Sequence, residues 1–123
     1  KKGEYNKSIE CHEKALKIRL DKLGSDHINV GKSYNQLGII YNKKEEYDKA
    51  LEFYQKALVI WSEKFGNDHI YVADLYNNLG VTYGNKGEYD KSIKYLKKEL
   101  TIRLDKLGSD HIDVGWLYNQ LGN

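Results

Sequence analysis

The 123-residue chain contains no proline, no methionine and a single cysteine, Cys11. One cysteine excludes an internal disulfide and any cysteine-based metal site, and makes a reducing, cytoplasmic compartment the expected setting. The missing methionine predicts an excerpt of a longer chain. No apolar run approaches the ~18 residues that suggest a membrane span, and no signal-peptide pattern stands at the start, so no membrane association is expected. Neither charge dominates: 20 Lys+Arg against 18 Asp+Glu give a net charge of +2, with the signs interleaved. That balance argues against nucleic acid as a partner, since a phosphate-binding surface would cluster its basic residues.

What is present is repetition. The octapeptide DKLGSDHI at 21–28 returns unchanged at 105–112, and EKFGNDHI stands between them at 63–70, a period of 42 residues. KGEYNKSIE at 2–10, KEEYDKALE at 44–52 and KGEYDKSIK at 86–94 keep the same interval, as do SYNQLGIIY at 33–41, LYNNLGVTY at 75–83 and LYNQLGN at 117–123. The unit is rich in tyrosine, which accounts for eleven tyrosines against two phenylalanines and two tryptophans. A period of this length is the mark of a solenoid, whose unit cannot bury its apolar face alone and must stack on its neighbours.

Each unit carries two helical patterns. Tyr34, Leu37, Gly38 and Tyr41 fall at the i, i+3, i+4, i+7 spacing of one amphipathic stripe. After the short polar break Lys43–Glu46, the series Tyr47, Ala50, Leu51, Tyr54, Ala57, Leu58 and Trp61 follows the same rule. The spacing predicts helices over roughly 4–23, 27–42, 47–65, 69–84, 89–107 and 111–122, and no strand. The fold class expected is all-α, a solenoid of antiparallel helix pairs with about six helices.

The repeated octapeptide reads as punctuation. Gly24, Gly66 and Gly108 each follow a long apolar-periodic run, where glycine can take the left-handed conformation that closes a helix. Lys22, Lys64 and Lys106 place a cation in the last turn. Ser25–Asp26, Asn67–Asp68 and Ser109–Asp110 then offer oxygens to cap the next helix. Glycines inside the helices need another reason, because each costs about 1 kcal/mol relative to alanine. Gly38 and Gly80 face Ala50 and Ser92 of the partner helix in this reading, which lets the pair approach closely with tyrosines filling the wedge.

These residues resemble the tetratricopeptide repeat in its 42-residue variety, found in kinesin light chains and related scaffold proteins. The pattern is carried by Tyr34, Leu37, Gly38, Tyr41, Tyr47, Ala50, Tyr54 and Ala57, and in the next unit by Tyr76, Leu79, Gly80, Tyr83, Tyr89, Ser92, Leu96 and Glu99. Two departures are Ile28, Ile70 and Ile112, where many relatives have proline, and Glu99 in place of alanine. The resemblance implies a right-handed superhelix, its first helices lining a concave groove and its second helices outside. It also implies a module that binds peptides or proteins, without catalytic activity and without a cofactor.

By the same resemblance the groove is lined by Lys32, Asn35, Gln36, Ile39, Asn42 and Lys43, then by Asp74, Asn77, Asn78, Val81, Gly84 and Asn85. The last unit adds Trp116, Asn119, Gln120 and Asn123. These side chains lie opposite the Leu/Gly/Tyr stripe. A carboxamide both donates and accepts, so it can match the backbone of an extended peptide without demanding one side chain. Asn35, Asn77 and Asn119 recur once per unit and form the expected peptide ladder, with Lys32 and Lys43 favouring an acidic segment. The several Lys/Arg residues of a clamp for a free C-terminal carboxylate are not present.

The repeat frame divides the chain into a partial unit (1–26, second helix only), full units at 27–68 and 69–110, and a partial unit at 111–123 (first helix only). Tyr5, Ile9, Ala15 and Leu16 at one end, and Tyr118 and Leu121 at the other, are expected to lack partners. Such complementary ends could stack head to tail. An assembling array acting as a rigid spacer is therefore the alternative to a peptide-binding scaffold.

Other chemistry finds no footing. His27, His69 and His111 lie one repeat apart, about a helix diameter or ~10 Å, whereas a zinc–nitrogen bond spans ~2 Å; a structural role between repeats is expected instead. Cys11 and His12 are neighbours on a helix and point about 100° apart, so they do not form a nucleophile and base. No phosphate loop, dinucleotide fingerprint, zinc-ribbon or calcium-loop spacing occurs.

Overall fold

The computed structural model describes residues 2–24 and 27–107. Five helices follow one another: α1 (Lys2–Leu23), α2 (Ile28–Lys43), α3 (Tyr47–Phe65), α4 (Ile70–Lys86) and α5 (Tyr89–Leu107). There is no strand among the described residues. Each helix agrees with its expected span to within about two residues at either end, the usual fraying range. The sixth expected helix, at 111–122, lies outside the described residues.

α2 pairs with α3 and α4 with α5, while α1 packs on α2 and α3 on α4. The backbones of the inner helices α2 and α4 also approach each other, whereas those of the outer helices α1, α3 and α5 stay apart, α3 and α5 meeting through a side-chain hydrogen bond from Gln55 Nε2 to the Tyr95 hydroxyl at 3.4 Å. An inner layer in contact and an outer layer splayed apart is the geometry of a curved stack, with its hollow on the α2/α4 side. The core runs continuously through it, from Ile9 in α1 through Leu37, Tyr54, Leu75 and Leu79 to Ile102 in α5. Ile9, expected to lack a partner, is buried in this core, and Leu16 packs against it. Tyr5 and Ala15 are half-buried.

The helix-interior glycines are sites of close approach. A Cβ on Gly38 would sit 2.5 Å from the Tyr54 ring, and one on Gly80 would sit 2.8 Å from Leu96 and 3.2 Å from the Ser92 carbonyl oxygen. The wedge beside them is filled by stacked and tilted rings. Phe53 lies between Tyr34 and Tyr41, at centroid distances of 6.0 and 5.5 Å, and Tyr95 lies between Tyr76 and Tyr83 at 5.9 and 5.6 Å. Lys56 and Lys98 extend over these rings, where the negative ring face attracts a cation.

The caps differ from expectation in one respect. The residue before α2 is His27 and that before α4 is His69; each is extended, and its Nδ1 accepts the backbone N–H two residues on, from Asn29 and Tyr71, at 3.1 Å. Nδ1 stands as many bonds from Cα as the Oδ1 of asparagine or aspartate, so histidine can do their capping work. Asn67 and Asp68 are exposed and do not cap α4; Ser25–Asp26 and Ser109–Asp110 lie outside the described residues. The His69 ring also stacks on Phe65 at 4.3 Å, which gives it the structural place between repeats.

Gly24 and Gly66 have φ of 90° and 91°, which favours glycine, but with ψ 163° Gly66 is not in the left-handed helical conformation expected of it. Gly87, in the turn from α4 to α5, is left-handed, with φ 90° and ψ 4°. One repeat earlier Glu45 holds the same place with φ 69°. The backbone bonds match: Glu46 N–H donates to the Tyr41 carbonyl and Glu88 N–H to the Tyr83 carbonyl, both at 2.9 Å. Both turns are therefore the six-to-one helix stop that favours glycine, and one of them carries glutamate. Lys86 ties the two turns together by ion pairs to Asp48 (2.6 Å) and Glu88 (3.0 Å). Hydrogen bonds to these two carboxylates hold its ammonium above the ordinary lysine range.

Candidate ligand groove

On the hollow side, α2 and α4 border a groove of about 490 Å³. α2 supplies Ile28, Asn29, Lys32, Asn35, Gln36 and Ile39, α4 supplies Tyr71 and Asp74, and Trp61 of α3 forms part of the floor. Five of the expected groove residues, Lys32, Asn35, Gln36, Ile39 and Asp74, thus meet in one cavity. The spacing of the four on α2 puts them on a single face, opposite the buried Leu37 and Tyr41.

The amides are arranged differently from a simple ladder. Asn78 Nδ2 donates to Asn35 Oδ1 at 2.8 Å, and Asn42 Oδ1 accepts from Asn85 Nδ2 and from the Thr82 hydroxyl, each at 3.2 Å. Amides one repeat and one residue apart therefore clasp the two inner helices together. Asn77 is drawn the other way, its Nδ2 donating to Glu99 Oε1 of α5 at 3.0 Å. Asn35 keeps its Nδ2 donor and Asn77 its Oδ1 acceptor for another partner. Lys43 is exposed, and so is Val81. Trp116, Asn119, Gln120 and Asn123 lie outside the described residues.

Four lining residues were not among those expected: Ile28, Asn29, Trp61 and Tyr71. The three on inner helices lie in the first helical turn, before the pattern residues begin. Trp61 belongs to an outer helix, yet its indole N–H donates to the Ile28 carbonyl at 3.1 Å and its ring covers Gly31, where a Cβ would come within 2.5 Å of Nε1. A signal for it was present. Arg19 and Arg103 stand one repeat on either side, so a tryptophan between two arginines marks a position whose surroundings change.

Behind Asp74, the one acidic residue of the wall, lies a charged contact between α4 and α5. Arg103 donates from Nε to Glu99 Oε2 at 2.7 Å and from a terminal nitrogen to Asp74 Oδ1 at 2.9 Å. Burial lowers the affinity of this guanidinium for its proton, but the two carboxylates outweigh burial and hold it above the ordinary arginine range. Among the described residues no group of three or more His, Cys, Asp or Glu side chains is placed to hold a metal, and no helix is long and apolar enough to cross a membrane.

The tetratricopeptide repeat family matches this chain over residues 1–58, 30–105 and 71–123. The chain belongs to that family. Its fold is the right-handed superhelical solenoid of the family, seen in two solved structures. BtubC (BKLC) from P. vanneervenii superimposes with a TM-score of 0.83 at 28% identity, over 98% of this chain and 48% of that one. A putative kinesin light chain of Podospora anserina with nearly identical repeats gives a TM-score of 0.80 at 19% identity, over 98% of this chain and 57% of that one. This chain thus spans about half the length of the structures it matches. No curated protein matches the sequence. Repeats of this family mediate protein–protein interaction or assembly.

Proposed function

We propose that the chain is a non-enzymatic interaction module that takes an extended peptide segment of a partner protein in the groove between α2 and α4. The observation that carries this reading is the groove itself, where apolar Ile28, Ile39, Trp61 and Tyr71 converge with the amides of Asn35 and Gln36 in one cavity. Apolar walls with a few placed polar groups are the usual make-up of a ligand site. The amide clasps fix the inner helices before any ligand arrives, so little ordering is left to oppose binding. Lys32 on the rim favours an acidic residue in the ligand. Asn35 and Asn77 offer a donor and an acceptor to the ligand backbone, a reduced form of the expected ladder. A reducing, cytoplasmic setting suits the exposed thiol of Cys11.

Random peptides displayed on phage and selected on the full chain test this reading. Selected peptides are expected to lose binding to Ile39→Glu, which puts a charge in the cavity, and to weaken several-fold on Asn77→Ala, about the loss of one hydrogen bond. Peptides that bind Ile39→Glu undiminished overturn the groove. Filaments that form while the groove stays empty favour the alternative, an assembling array stacked through its ends.

A further inference from the structure

The chemistry of the groove is set in part from the outer layer. One position on each outer helix, occupied by Arg19, Trp61 and Arg103, reaches between the helices to the first turns of an inner helix. Arg19 donates to the Asn29 carbonyl and the Ser33 hydroxyl, Trp61 to the Ile28 carbonyl, and Arg103 to Asp74. Asn29, Ile28 and Asp74 are all groove-lining residues. Arg19 reaches forward to the next inner helix, whereas Trp61 and Arg103 reach back to the inner helix of their own pair, so the position recurs while the side chain and its partner change.

Arg103 has the largest electrostatic effect of the three. Its guanidinium holds the carboxylates of both Asp74 and Glu99, at 2.9 and 2.7 Å. The Asp74 side chain is 53% exposed and faces the cavity, whereas that of Glu99 is 15% exposed. The only other charge lining this cavity is Lys32, which makes no ion pair among the described residues. With Arg103 in place behind the wall, the Asp74 carboxylate is neutralised and Lys32 is the one unpaired charge lining the cavity. Without it, Asp74 is free to face the ligand against the single ammonium of Lys32, and Glu99 behind it loses its counter-charge. One repeat earlier the corresponding positions are Trp61, Lys32 and Ala57, so neither carboxylate has a counterpart there.

We propose that Arg103 is a specificity-determining residue of the groove: by occupying Asp74 and Glu99 it stops the cavity from selecting basic peptides and leaves Lys32 to favour neutral or acidic ones. The proposal rests on the reading of this groove as the peptide site. Specificity here comes from denying a wrong partner its counter-charge as much as from attracting the right one. An arginine suits that task because its planar fork engages two carboxylates at once, which a lysine ammonium does less well.

The test is phage selection of random peptides on the full chain and on three variants, Arg103→Gln, Arg103→Lys and the triple Asp74→Asn, Glu99→Gln, Arg103→Gln. For Arg103→Gln the ratio of Lys/Arg to Asp/Glu in the selected peptides is expected to rise about ten-fold, the effect of one exposed counter-charge. Arg103→Lys gives a smaller rise, and it carries the test if the glutamine variant fails to fold by circular dichroism. The triple variant returns to the parent ratio, since no carboxylate is left to release. An unchanged ratio in both single variants, or a rise that persists in the triple variant, overturns the role of Arg103. No enrichment on the parent chain overturns the peptide groove itself, and the proposal with it.

Discussion

The helix pairs α2–α3 and α4–α5 share one frame and fill it differently. In the first, Gly38 is covered by the ring of Tyr54, Trp61 floors the groove, and Glu45 makes the turn. In the second, Gly80 is covered by Leu96, Arg103 replaces the tryptophan, Glu99 replaces Ala57, and Gly87 makes the turn. Stops, wedge and stacked rings recur because every unit must dock on the next. Among the residues that vary between the pairs are several that face the groove or fill the hairpin. The first pair is the tighter and more apolar, and the second is the more polar.

That contrast can be broken most strongly at Tyr54, which is 1% exposed. Tyr54→Ala is expected to lose about 3–5 kcal/mol of stability in urea melts, as for other buried aromatics. Leu96→Ala, at the corresponding half-buried place, loses about 2 kcal/mol, the low end for leucine. Equal losses would mean that the two pairs are packed alike.

The same tyrosine gives the pairs different pH responses. Burial pushes its pKa up to about 12, against a smaller lowering by the Thr82 hydroxyl. Because the folded value is raised, the stabilisation is complete below the ordinary value near 10 and is lost as pH climbs from there through about 12. The loss amounts to about 3 kcal/mol. Leu96 has no such term. Tyr54→Phe is expected to flatten the alkaline fall in stability while staying close to the parent at neutral pH.

Next in size, Gly80→Leu overpacks the second hairpin and costs roughly 1–3 kcal/mol. Gly38→Leu costs more, because it meets a rigid ring instead of the branched end of a leucine. An unchanged melting temperature in either variant would contradict the close approach. The smallest effect has the opposite sign. Glu45→Gly removes a left-handed glutamate and is expected to gain about 1 kcal/mol, whereas Gly87→Glu loses a similar amount.

Much of this was legible in the sequence. Helix spans followed from the 3.6-residue spacing of Tyr34, Leu37, Gly38 and Tyr41 and from its return after 42 residues. Gly24 and Gly66 stood where helices must stop. The histidine caps were not legible, because Ser, Asp and Asn beside them are the commoner cap residues and only coordinates show which group reaches the amide. The α2 face of the groove could be read, since it depends on spacing within one helix. Trp61 and Arg103 showed only as a change of residue type at one repeat position, since the reach of Trp61 into the groove and of Arg103 to Asp74 passes through a gap that only packing defines. The clasps from Asn78 to Asn35 and from Asn85 to Asn42 also depend on how two helices sit side by side, which no spacing within one helix encodes.

The hollow between α2 and α4 is where the partner is expected to bind. Backbone amide shifts of the full chain, followed by NMR as a phage-selected peptide is added, test it most directly. Shifts are expected to centre on Ile28, Asn35, Ile39 and Tyr71, with the outer faces of α1, α3 and α5 unmoved. Shifts confined to those outer faces, with the four groove residues silent, would contradict it.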